Sequence, residues 1–199
     1  MMLKIEAIWQ GESQQKIFRN LLHCMSLPGE IADLSQYLGK SSTLVGVLAT
    51  LVDKTVSWSD KDGLVNKSDR YLLQAPITCE KTAKFVVKDA TNPPNMNFSP
   101  NLGELSNPEK GATLILQGTA VNLGNISFQL SGAGIKKTRL IHLAGFHPLW
   151  FVLRQNWVEN FPLGVDMILV DSTCIMALPR TTQIKLNDFA NTQTSINLF

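Results

Sequence analysis

The chain has 199 residues and a formal net charge of +2, from 18 basic against 16 acidic side chains, and 44% of it is hydrophobic. That length suits one domain burying roughly 70% of its unfolded surface, and a charged fraction of 17% is too small to keep so apolar a chain disordered. The basic residues are scattered, Lys136-Lys137 being the only adjacent pair, so the clustered cationic surface that nucleic acid requires is missing.

The apolar runs are about half the ~20 residues of a membrane span. The stretch MMLKIEAIWQGE has no signal-type apolar core. Cys24, Cys79 and Cys174 are odd in number, widely spaced and free of any C-x-x-C. All three features predict a soluble, cytosolic protein with reduced thiols.

Along the chain, Ile17, Phe18, Leu21, Leu22 and Met25 recur at helical spacing before Pro28-Gly29, predicting an amphipathic helix over Ser13 to Met25. His23 and Cys24 lie about 100° apart on that helix, so packing suits them better than a shared ligand. Ser41-Ser42-Thr43 cap a second helix carrying Leu44, Val45, Val47, Leu48, Leu51 and Val52, apolar around most of its circumference. Short strands are expected at Thr55 to Trp58 and Ala83 to Val87, with a turn at Asp60-Lys61-Asp62-Gly63.

Asn92 to Pro108 carries four prolines and five asparagines and predicts a long connection, functional or mobile, with one short helical turn near Leu102 to Leu105. Thr113 to Gln117 and Ile126 to Leu130 read as an antiparallel pair turning through Asn122 to Asn125. In the LSGAGI that follows, Gly132 and Gly134 permit either a backbone anion cradle or a tight bend, the bend being the commoner use of so short a pair. A strand over Thr138 to Leu143 precedes a helix over Leu149 to Asn160 with Trp150, Val152, Leu153 and Trp157 inward. His142 and His147 lack the spacing of a zinc helix, and no metal set is expected.

Two apolar runs, Val165 to Val170 and Ile175 to Leu178, bring Asp166 and Arg180-Thr181-Thr182 toward one sheet rim. Burying Asp166 unpaired would cost several kcal/mol. Arg180 is its expected partner, in a structural ion pair or, less favoured, a ligand site. Thr181 and Thr182 suit either an anion beside Arg180 or a strand end. Lys84, Lys88, Lys136 and Lys137 read as solvated amines, as do Arg70 and Arg139 as solvated cations. No nucleophile with an evident base is present, so no catalytic residue is assigned. Residues 187–199 read as a frayed tail beyond a single domain of residues 1–186.

Five segments in register, FRNLLHCMSLPGEI, GATLILQ, LSGAGI, FPLGVDMILV and LPRTT, strongly resemble the PhnH family, over about Phe18 to Leu186. The resemblance implies an α/β fold, a mixed sheet flanked by helices, similar to that of pyridoxal-phosphate-dependent transferases but without the cofactor. It implies an accessory or structural subunit of the carbon-phosphorus lyase core complex, assembling with PhnG, PhnI and PhnJ. That complex supports displacement of adenine from ATP by an alkylphosphonate, giving a ribose triphosphate alkylphosphonate. No internal aldimine lysine and no iron-sulfur cysteine cluster stands out, so no cofactor is expected. A homodimer in isolation is plausible on general grounds. The rival reading is a stand-alone phosphate- or phosphonate-binding protein or enzyme, its anion site drawn from Gly132, Gly134, Arg180, Thr181 and Thr182.

Overall fold

The structure is a computed structural model and describes residues 6–186. The expected tail at 187–199 and the first five residues lie outside the described residues. After a 3-10 turn at Ala7–Trp9 the elements run α1 (Gly11–Ser26), β1 (Ile31–Asp33), α2 (Ser35–Leu38), α3 (Thr43–Leu51), β2 (Trp58–Ser59), α4 (Lys67–Leu73) and β3 (Phe85–Asp89). A second 3-10 turn, Pro108–Lys110, leads to β4 (Thr113–Gln117), β5 (Ile126–Gly132), β6 (Arg139–Leu143), α5 (Leu149–Trp157), β7 (Asp166–Val170), β8 (Cys174–Leu178) and β9 (Thr182–Leu186).

Six strands form a mixed sheet in the order β1-β8-β7-β4-β3-β2, in which β2, β3, β4 and β7 run parallel and β8 is antiparallel to both its neighbours. The strands β6-β5-β9 make a separate antiparallel sheet. The expected single mixed sheet is therefore two sheets in an α/β fold. Alternate residues of the central strands feed two apolar cores. Ile115, Ile168 and Val170 meet α1 and α3, whereas Leu114, Leu116, Met167 and Leu169 meet the small sheet and α5. A sheet covered on both faces needs apolar residues at every position, which is what TLIL and MILV supply.

This corrects the expected hairpin between Thr113 to Gln117 and Ile126 to Leu130. Ile126 to Gly132 instead pairs with β6 and β9, and residues 118–125 carry the chain from one sheet to the other. The continuous run belongs in the doubly covered sheet. The half-buried pattern of β5 suits a sheet with one wet face.

The helices follow their expectations with shifts. α1 buries Ile17, Leu21 and Cys24 but leaves Phe18 and Leu22 exposed, because its two apolar stripes together are wider than the contact face. Ser42 caps α3, its hydroxyl accepting from the Val45 amide at 3.3 Å, a contact worth about 1 kcal/mol. The strand expected at Thr55 to Trp58 forms at Trp58–Ser59. α5 ends at Trp157 and buries Trp150, Phe151 and Arg154, while Val152, expected inward, is exposed.

The asparagine- and proline-rich connection is pinned. Phe98 is buried and stacks edge-on against Trp150 and Trp157 with ring centroids 5.4 and 5.5 Å away, and the Trp150 indole donates to the Asn92 carbonyl at 2.9 Å. Its asparagines close turns, Asn95 accepting from the Asn97 amide and Asn101 from that of Gly103. The helical turn expected near Leu102 to Leu105 forms instead at Pro108–Lys110, where proline occupies the first helical position.

Candidate functional site

The rim formed by the start of β7 and the end of β8 is built from antiparallel pairing, Met167 standing opposite Leu178. That register sets Asp166 beside Arg180. The carboxylate accepts from Arg180 three times: from Nη2 at 2.8 Å, from the backbone amide at 2.8 Å and from Nε at 3.4 Å. Arg180 Nη1 also donates to the carbonyls of Pro108 and Pro162, at 2.9 and 3.1 Å. The guanidinium is thus committed to the carboxylate and to two loops.

Lys84, immediately before β3, stands at the same rim. Its amine donates to the Gly111 carbonyl at 2.7 Å and to that of Glu109. Burial lowers its pKa, an effect partly offset by the charge of Asp166 and reinforced by that of Arg180. Lys88 is equally unlike a solvated amine: it bridges Asp62 at 2.6 Å and Glu80 at 3.0 Å and lies 5.7 Å from the centre of the Phe98 ring. Burial opposes its charge, but the hydrogen bonds it donates to the two acids, and their charges, leave its pKa raised. The first amine is thus engaged by carbonyls and the second is held protonated by carboxylates. Arg70 and Arg139, expected to be solvated, pair with Asp60 at 2.7 Å and Glu30 at 2.6 Å.

The glycines of LSGAGI lie close against neighbouring backbone, Gly132 at Thr181 and Thr182. Gly132 ends β5 with φ +121° opposite Thr182, and Gly134, with φ +79°, packs on the backbone at Ser26 and on Pro28. Each serves as a close approach between segments, the bend reading of the motif. Thr182 is buried in β9, whereas Thr181 is exposed.

Arg154 is the residue that sequence reasoning missed. It lies on the inner face of α5 only 1% exposed, its terminal nitrogens donating to the carbonyls of Thr182 (3.0 Å) and Pro179. Burial pulls its pKa down to about 10, with the Asp166 charge acting in the other direction, so it stays cationic at neutral pH. It lines a cavity of about 480 Å³ with Gln155, Val158, Phe161, Arg180, Thr181, Thr182, Gln183 and Ile184. Its signal was an arginine in register with Trp150 on the apolar stripe of a predicted helix. A second cavity, of about 690 Å³, lies past the end of β3 between Lys88, Asp62 and Glu80 on one side and Asn92 to Phe98 on the other. Among the described residues no group of three or more His, Cys, Asp or Glu is placed to hold a metal, and no helix is long and apolar enough to cross a membrane.

Architecture and rim together define an α/β protein whose sheet-edge charges bind its own loops, beside a cavity lined by two arginines. The chain belongs to the PhnH family, bacterial phosphonate metabolism proteins, whose model it matches over residues 7–185. It is similar to HtxG of Stutzerimonas stutzeri, provisionally named a C-P lyase subunit protein, with 36% identity over 179 residues, 90% of this chain and 89% of that one. It is also similar to the alpha-D-ribose 1-methylphosphonate 5-triphosphate synthase subunit PhnH of Rhizobium meliloti (strain 1021), at 28% identity over 187 residues, covering 86% of this chain and 90% of the relative.

Proposed function

We propose that this chain is an accessory subunit of a cytoplasmic carbon-phosphorus lyase core complex, the part that organises rather than performs the chemistry. In that role it assembles with PhnG, PhnI and PhnJ subunits and supports conversion of ATP and an alkylphosphonate to a ribose triphosphate alkylphosphonate with release of adenine. The observation that carries the reading is the family match across nearly the whole chain, with a relative named as a subunit of the synthase. The rim chemistry is consistent with it, since Asp166, Arg180 and Lys84 are spent on one another and on loop carbonyls. The implied likeness to pyridoxal-phosphate-dependent transferases is carried, in this reading, by the layered sheet alone.

Co-expression with the other core subunits and size-exclusion chromatography in mild salt tests the proposal. Co-elution is expected. Elution apart from every core subunit would sink it.

A further inference from the structure

The cavity between α5 and the β8–β9 turn has a property that the cavity beside Lys88 lacks: its wall contains two arginines and no acid. Arg180 is neutralised by Asp166 at 2.8 Å, but among the described residues Arg154 meets no carboxylate within ion-pair distance. A guanidinium has five N–H donors, and the bonds of Arg154 are one to Thr182 O and one to Pro179 O. Its Nε is buried with no partner, and so is the Thr182 hydroxyl. A cation removed from water without a carboxylate in contact, favoured only by the Asp166 charge at a distance, carries an uncompensated desolvation cost. An anion in the cavity would offset that cost.

The rest of the wall describes the anion. Thr181 and Gln183 supply exposed polar groups at the mouth, while Val158, Phe161 and Ile184 supply an apolar side. The volume of about 480 Å³ lies within the usual range for small-molecule sites, roughly 300–1,000 Å³. We infer that this cavity is a binding site for a tetrahedral oxyanion bearing a small organic group, a phosphonate or phosphate monoester, with Arg154 as its buried cationic floor. The oxyanion lies against the Arg154 face and the organic group against Phe161 and Val158. Gly132 and Gly134 take no part. The site is independent of the assembly reading, because it is tested on the isolated chain and failure to co-elute leaves the binding result standing.

The test is thermal unfolding of the full chain titrated with methylphosphonate, inorganic phosphate, acetate and sodium chloride at matched ionic strength. A ligand that binds only the folded state raises the melting temperature. Methylphosphonate and phosphate are expected to give a saturable rise, methylphosphonate the larger, with none for chloride. Gln183→Glu changes one exposed amide into a carboxylate at the mouth without disturbing the core, and is expected to weaken binding about tenfold or more, the scale of one charge-assisted contact. Arg154→Met, checked for folding by circular dichroism, is expected to abolish it. Equal response to phosphate and chloride overturns the site; acetate matching phosphate overturns the tetrahedral class. A response unmoved by Gln183→Glu places any binding elsewhere and also overturns the proposal, whether or not Arg154→Met folds.

Discussion

Arg180 and Lys84 grip one turn from the ends of different strands: Arg180 Nη1 donates to the Pro108 carbonyl at 2.9 Å and Lys84 Nζ to the Gly111 carbonyl at 2.7 Å, with the Glu109 carbonyl held by Lys84 as well. The turn that ends the long asparagine- and proline-rich connection is therefore fixed by two cations. Lys84→Met removes one grip and is expected to cost about 2 kcal/mol, given that hydrogen bonds from charged groups are worth roughly 1.5–3 kcal/mol. Hydrogen exchange checks it: amides around Pro108 to Ala112 should exchange faster while those of β7 do not. Unchanged exchange in the turn would remove Lys84 from this role.

The Asp166–Arg180 pair is largely buried, with side chains 20% and 14% exposed. Either Asp166→Asn or Arg180→Met is expected to lower stability by about 3 kcal/mol, because the remaining group loses its partner. Urea unfolding of both single variants and the double variant should give a coupling of roughly 1–3 kcal/mol. A coupling near zero would mean that the two side chains are held independently by the loops.

Gly134→Ala separates the two uses of the LSGAGI glycines. With φ at +79°, an added Cβ meets the Ser26 carbonyl and lies 2.7 Å from Pro28 Cδ, so a loss of about 1–3 kcal/mol is expected. The response to phosphate, measured below the lower melting point, should be unchanged. Loss of that response in a folded variant would return the glycines to the anion site.

Cys24 provides a pH test. Burial, with help from the Glu30 charge, pushes its thiol from 9.0 up to about 11. Between those values the folded chain keeps a proton that the unfolded chain releases, so this contribution is intact below pH 9 and is lost as pH rises toward 11. The loss is on the order of 2–3 kcal/mol at the upper end. Comparing the urea midpoints of wild type and Cys24→Ala at pH 8 and pH 10.5 should show the gap between them shrinking. A constant gap would indicate that Cys24 does not titrate differently on folding.

Where one physical signal dominated, the sequence was legible. The helical spacing of Ile17, Phe18, Leu21, Leu22 and Met25 and the hydroxyl of Ser42 marked α1 and α3 directly. The partner of Asp166 followed from the cost of burying a carboxylate alone, and the geometry sets Arg180 there. Strand partnership was less accessible, since nothing local distinguishes a β4 that pairs with β3 and β7 from one that turns back onto β5. β9 was missed although TQIKL alternates, because the threonines were weighed as ligands and the strand pattern behind them was not. Arg154 carried only its register with Trp150 as a signal: an arginine on a helix is ordinarily solvated, and the packing of α5 on β9 shows it buried.

The pairing of Ile31–Asp33 with Cys174–Met176 joins an early segment of the chain to a late one, and α1 lies against the same late strand. During synthesis, Ile17, Leu21 and Cys24 leave the ribosome long before their seat on β8 exists. Contacts so distant in sequence form slowly and leave apolar surface uncovered meanwhile. A nascent chain stopped short of Cys174 has α3 for α1 to pack against but not β8, so part of the apolar stripe of α1 stays uncovered and chaperone demand in the cell should persist until β8 emerges.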